Sequence, residues 1–123
     1  MADFDAVLSV DIGDTFAISP DITAKVLRTA PDGSPVALEV VFAPGAAWPG
    51  EDVHSDSAEA VYVLSGVLRT GVPRSGVDKV DDACPAGSLV CAEQGTSHRP
   101  YSDTGCTLLL LYPDKWKGSA PTV

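Results

Sequence analysis

Residues 45–66 read GAAWPGEDVHSDSAEAVYVLSG, and residues 87–102 read GSLVCAEQGTSHRPYS. These two stretches contain both histidines of the chain, His54 and His98. Each histidine stands at the edge of a strand-like run, close to glycines and carboxylates. Neutral imidazole combined with carboxylate oxygen is a ligand set for divalent transition metals. The two stretches therefore indicate a metal site built at the ends of β-strands.

Short apolar runs separated by turn residues make up most of the chain. Their pattern predicts strands over residues 6–10, 22–30, 36–43, 60–65, 67–71, 79–84, 89–92 and 106–112, and a shorter one over 98–101. Turn-forming Pro, Gly and Asp separate them, as in the PDGSP of residues 31–35. Such a succession predicts an all-β antiparallel sandwich or barrel. The 123 residues show no internal repeat, so we expect one domain over 1–123.

Charge and hydropathy exclude several classes of partner. The net charge of −9 repels a phosphate backbone, so we expect no nucleic-acid partner. The sequence has no apolar stretch of about 20 residues, which predicts no membrane span. The N-terminal residues lack the basic start of a secretory signal, which predicts a cytoplasmic protein.

Alternation along the predicted strands assigns their faces. If Glu59 points into the barrel, then Val61 and Val63 point inward as well, while Tyr62 and Leu64 face the second sheet or a partner subunit. For Glu59 and His98 to meet, we expect their strands to be neighbours that face the same lumen. A small jelly roll provides this arrangement.

Both stretches resemble the two sequence motifs of the cupin superfamily. In the first motif a His-x-His is followed by three or four residues, a Glu, six residues and a Gly. Here Glu59 is followed by six residues and Gly66, His54 takes the place of the second histidine, and Asp52 takes that of the first. In the second motif the glycines and His98 fit, whereas a Glu and a Ser replace the Pro and the Asn. The resemblance implies a single cupin jelly-roll β-barrel with core motifs over residues 45–66 and 87–102.

Further residues are similar to the cupin domain of ChrR-type anti-sigma factors and their stand-alone relatives. They include FAPGA at 42–46, VLSGV at 63–67 and GTSHRPYSDTGC at 95–106, and the similarity runs over about residues 22–112. The anti-sigma factors carry an additional N-terminal zinc-binding helical domain, for which this chain has no room. The stand-alone relatives include non-haem metal dioxygenases that cleave diketones or hydroxyaryl ketones, and the resemblance implies this type of activity.

The predicted metal ligands are Asp52, His54, Glu59 and His98. Asp52 and His54 are two residues apart and share one face of an extended strand, while Asp56 is the alternative ligand if Asp52 points away. Two nitrogens and two oxygens favour Fe(II), with Mn(II) or Zn(II) as alternatives. Four or fewer protein ligands leave positions open for a chelating small-molecule substrate.

The sequence therefore predicts a metal-dependent enzyme, most readily an Fe(II)-type dioxygenase acting on a small chelating ketone or diketone. One alternative is a non-redox cyclase, isomerase or lyase of polyketide-like substrates, and another is a metal-holding sensor without catalysis. Glu93, where the second motif has Pro, is the candidate catalytic base, with an exposed turn carboxylate as the alternative reading. Small cupins commonly pair, so the resemblance also implies a homodimer, to which Tyr62 and Leu64 are candidate contributors.

Overall fold

The computed structural model describes residues 13–50, 52–53, 58–71 and 82–114. Within these ranges the chain forms nine β-strands and no α-helix. The strands are β1 (Thr15–Ser19), β2 (Ile22–Thr29), β3 (Pro35–Phe42), β4 (Asp52–Val53), β5 (Glu59–Arg69), β6 (Ala83–Pro85), β7 (Leu89–Ala92), β8 (Ser97–His98) and β9 (Cys106–Leu111). The predicted all-β class is confirmed. In the same part of the chain, no helix has the length and apolarity that a membrane span requires.

Every strand pairing is antiparallel. The larger sheet has the order β1-β2-β3-β9-β5-β6, with β7 also paired to β5, and the smaller sheet consists of β4 and β8. Strand β9 lies between β3 and β5, so segments distant in the sequence are adjacent in the sheet. This crossing of the chain is the connectivity of a jelly roll.

The core follows from alternation along the central strands. Val40 on β3, Leu108 on β9 and Val63 on β5 stand opposite one another across the sheet, and all three are buried. Directly opposed residues on neighbouring strands point to the same face of a sheet. Their row therefore forms the apolar lining of the lumen, and removing it from water is a main source of stability.

The predicted face assignment of β5 is confirmed. Glu59, Val61 and Val63 are buried, whereas Tyr62 and Leu64 are 40% and 45% exposed. The outer face of the larger sheet is thus partly apolar, as the predicted homodimer requires. The homodimer itself stays a prediction.

Some predicted boundaries differ from the structure. The strands expected over 60–65 and 67–71 are a single strand, β5, because Gly66 adopts a φ of 76° and continues the pairing with β9 instead of turning. A Cβ at Gly66 would lie 2.1 Å from the carbonyl oxygen of Gly105, so this close approach requires glycine.

Other differences concern short or polar strands. The strand expected over 98–101 is observed as β8 over Ser97–His98, while β6 begins only at Ala83. Strand β1 was not predicted, because its TFAIS sequence lacks a long apolar run. The strand predicted over 6–10 lies outside the described residues, as does the 79–81 part of the strand predicted over 79–84.

Candidate metal centre

Three of the predicted metal ligands converge in the structure. One ligand atom each from Asp52, Glu59 and His98 lies within 4.8 Å of the others. Strand pairing brings two of them together, because Asp52 on β4 stands directly opposite His98 on β8. As a result, Asp52 Oδ2 lies 3.5 Å from His98 Nε2.

Glu59 approaches this pair from the other sheet. It is the first residue of β5, which pairs with β7 and β9 and makes no pairing with β8. The expectation that Glu59 and His98 lie on neighbouring strands is therefore wrong. The two side chains meet instead in a cavity that residues of both sheets line.

Backbone structure fixes the orientation of the His98 ring. Its Nδ1 lies 2.9 Å from the carbonyl oxygen of Thr70, in the segment that follows β5. A carbonyl oxygen only accepts hydrogen bonds, so Nδ1 carries a proton and Nε2 is the nitrogen that faces Asp52 and Glu59. Metal-binding histidines typically have this arrangement, in which one nitrogen donates to a carbonyl and the other, once deprotonated, binds the ion.

Glu59 is a carboxylate in a largely apolar environment. It is only 4% exposed, and burial together with the nearby charge of Asp52 raises its pKa to about 7. The Tyr112 hydroxyl donates a hydrogen bond to this carboxylate and, with the charge of His98, opposes the increase in pKa. Burial and the charge on Glu59 in turn raise the pKa of Tyr112, which therefore keeps its proton.

The carboxylates also act on His98. Burial alone would lower the pKa of its imidazole, but the hydrogen bonds to Asp52 and to the Thr70 carbonyl, together with the charges of Asp52 and Glu59, raise it. Both Glu59 and His98 thus hold a proton more tightly than usual in this confined space. A divalent cation would relieve the repulsion between the two carboxylates and would be bound by donors that suit it, so these residues fit a metal ion.

The three converging side chains adjoin a narrow apolar lumen. A cavity of about 20 Å³ is lined by the three ligand-type side chains and by apolar residues that include Phe42 and Trp48. The rings of Phe42 and Trp48 stack, with their centroids 6.3 Å apart. This volume is room for about one water molecule.

A second, larger cavity borders the same histidine. It measures about 370 Å³ and lies between β7 and β8, where Val90, Ala92 and Ser97 contribute to its walls. Glu93, the predicted catalytic base, also lines it, from an exposed position just after β7. The structure therefore places Glu93 beside His98 but not among the converging ligands.

The remaining predicted ligands, His54 and the alternative Asp56, lie outside the described residues. Two other residues contact the site without having been predicted. Thr70 and Tyr112 were not singled out, although they orient His98 and contact Glu59. Tyr112 had a detectable signal, because it continues the inward register of Leu108 and Leu110 with a polar group. The Thr70 carbonyl had none, since any residue supplies a carbonyl.

Comparisons with solved structures identify the architecture. An RmlC-like cupin from Shewanella frigidimarina is 20% identical, with 81% of this chain and 82% of that chain covered and a TM-score of 0.62. The chain has a cupin fold. No protein-family model and no curated protein sequence matches this chain. The finer resemblance to ChrR-type domains and their stand-alone relatives stays a prediction.

Proteins with different roles share this cupin fold. The polyketide cyclase RemF from Streptomyces resistomycificus is 20% identical, over 76% of this chain and 65% of that chain, with a TM-score of 0.61. CENP-C from Drosophila melanogaster, in a structure bound to CAL1, is 14% identical over 81% and 79% of the two chains, with a TM-score of 0.67. At these identities the likeness establishes the fold alone, so function must be argued from the site.

Proposed function

We propose that this cupin is a metal-dependent enzyme acting on a small chelating ketone or diketone. The convergence of Asp52, Glu59 and His98, with Nε2 of His98 facing the two carboxylates, supports the proposal most strongly. His54, two residues from Asp52, is proposed as the fourth ligand from the alternation of the sequence. Mixed nitrogen and oxygen donors favour Fe(II), with Mn(II) or Zn(II) as alternatives.

A bound divalent ion would supply Lewis acidity and, if it is iron, dioxygen chemistry. The residues of this chain perform the remaining tasks. The Thr70 carbonyl holds His98 in one tautomer, and Tyr112 restrains the Glu59 carboxylate. The apolar lumen excludes bulk water around these groups. Glu93 lines the larger cavity and is the carboxylate proposed to accept a proton from a substrate there.

Oxidative cleavage is the leading form of this proposal, and a non-redox reaction is the second. The second is favoured by the fold shared with a polyketide cyclase. Both forms use the same ligands and differ only in whether dioxygen is consumed. A sensor without turnover is the third outcome that the experiment must distinguish.

The test begins with metal analysis of protein purified without chelator, for which we expect about one divalent ion per chain. The Fe(II)-loaded protein is then incubated with a panel of diketones and hydroxyketones, with and without air, while dioxygen and substrate are followed. Dioxygen uptake that matches substrate loss supports the dioxygenase, and equal loss without air supports the non-redox enzyme. Metal binding without turnover across the panel would support the sensor.

Variants identify the residues responsible. The His98→Ala substitution should abolish stoichiometric metal binding, whereas Glu93→Gln should leave metal content unchanged and lower the rate. Stoichiometric metal in a His54→Ala/His98→Ala double variant would contradict the proposed centre. An unchanged rate in Glu93→Gln would return that residue to the role of an exposed turn carboxylate.

A further inference from the structure

We propose that the organic body of the substrate lies in the cleft between β7 and β8, beside the narrow lumen cavity, and that this cleft selects neutral or cationic ligands over anions. The cleft is the cavity lined by residues 90–93, Thr96, Ser97 and Thr70, with His98 at its boundary. The inference rests on the proposed function and specifies the substrate class for the same site.

Size separates the two cavities. The lumen cavity of about 20 Å³ holds about one water molecule, which leaves no room for a diketone. The cleft, at about 370 Å³, falls within the range of small-molecule pockets, which is about 300–1,000 Å³. A substrate that reaches the ligands must therefore keep most of its atoms in the cleft.

Strand register shows that the cleft adjoins the proposed metal centre. Ala92 stands directly opposite Glu59, and Val90 stands opposite Val61. Opposed residues share a face of the sheet, so the β7 wall of the cleft continues the surface that carries Glu59. His98 borders both the lumen cavity and the cleft. A ligand in the cleft thus lies beside two of the three converging residues.

The chemistry of the walls determines which ligands fit. Val90 and Ala92 offer apolar contact, Cys91 offers a thiol, and Thr96 and Ser97 offer hydroxyl groups. In the part of the chain that the structure describes, Glu93 is the one carboxylate that lines the cleft. Among the described residues that line it, none is a lysine or an arginine, the side chains that usually pair with carboxylates and phosphates. The net charge of −9 adds to the repulsion of anions. The cleft therefore favours an uncharged or cationic ligand with a compact apolar body.

Binding can be tested without turnover. Pentane-2,4-dione serves as the neutral probe and 2,4-dioxopentanoate as its anionic analogue, with the Zn(II)-loaded protein followed by amide NMR and calorimetry. We expect the neutral probe to shift amides of Val90, Ala92, Thr96 and Ser97. The Ala92→Trp substitution should fill the cleft, weaken binding at least tenfold and leave metal content unchanged.

A matched control lies on the same strand. Leu89 is 63% exposed and alternates with Val90 onto the outer face of β7, so Leu89→Trp should bind the probe as the native chain does. If Ala92→Trp fails to fold, Thr96→Trp introduces the same bulk from the exposed turn. The Glu93→Lys substitution should raise the affinity for the anion relative to that for the neutral probe at least tenfold.

Two results would overturn the cleft inference. One is unchanged probe affinity in both folded tryptophan variants, and the other is a set of shifts confined to lumen residues such as Val40 and Leu108. Metal uptake and turnover that persist in Ala92→Trp would reject the cleft while keeping the proposed function. Probe binding in the cleft of a protein that neither takes up metal nor turns over any substrate would support the cleft and reject the proposed function.

Discussion

Removing the Glu59 carboxyl should flatten the pH dependence of stability in the metal-free protein. The folded structure raises the pKa of this carboxyl from 4.5 to about 7. A tenfold change in proton affinity is worth about 1.4 kcal/mol, so this difference corresponds to about 3 kcal/mol. Because Glu59 is almost fully buried, solvent screening reduces that value little.

The sign follows from proton binding. A carboxyl with a higher pKa in the folded state than in the unfolded chain holds more protons when folded, so its contribution is fully present below pH 4.5 and is lost as the pH rises through about 7. The raised pKa of His98 acts in the same direction. We therefore expect the free energy of unfolding to fall between pH 5 and pH 8, and Glu59→Gln to remove about 3 kcal/mol of that fall.

Urea denaturation in the presence of a chelator, at pH 5 and at pH 8, measures the free energy of unfolding of each variant. Glu39→Gln is the matched control, because Glu39 alternates with the buried Leu38 and Val40 onto the outer face of β3. The free energy of unfolding of Glu39→Gln should depend on pH as that of the native chain does. Saturating metal should reverse the trend, since ligands bind the ion in their deprotonated forms. If the free energy of unfolding depended on pH equally in Glu59→Gln and in the native chain, burial and the charge of Asp52 would not raise the pKa of Glu59 as inferred.

Four further outcomes are expected. Asp52→Ala should weaken metal binding while Asp52→His preserves or tightens it, as measured by competition with a chromogenic chelator. Tyr112→Phe should lower metal affinity about tenfold with the fold retained, because Glu59 loses a donor that orients it. Gly71→Ala should destabilise the chain by more than about 2 kcal/mol, since φ is 61° and the new Cβ would lie 1.8 Å from the carbonyl oxygen of Arg99. Replacing Tyr62 and Leu64 by lysine should convert the predicted dimer to a monomer in light scattering.

Each of these outcomes has a contradicting result. Full metal affinity in Asp52→Ala would remove that residue from the ligand set, and unchanged affinity in Tyr112→Phe would make its hydrogen bond structural only. A native melting temperature for Gly71→Ala would contradict the close approach of the two backbone segments. A native chain that is monomeric at all concentrations would reject the predicted homodimer.

Local pattern was sufficient to predict the all-β class, most of the strands and the faces of β5. The buried alternation of Glu59, Val61 and Val63 could be read directly, because side chains in any extended strand alternate between two environments. His98 and Pro100, two residues apart, are both buried, as this alternation requires. Histidines and carboxylates near strand ends also marked the region of the candidate site.

The tertiary structure alone decided how these residues meet. Asp52 and His98 stand opposite each other because of the register of β4 with β8. Glu59 comes near them because residues of both sheets line the same cavity. The contact between the Thr70 carbonyl and His98, and the cleft beside β7, likewise depend on segments that are distant in the sequence. The sequence pattern of a strand predicts on which side of that strand a side chain lies. Which residues stand opposite that side chain is determined by long-range strand pairing, and this pairing depends on the packing of the whole core.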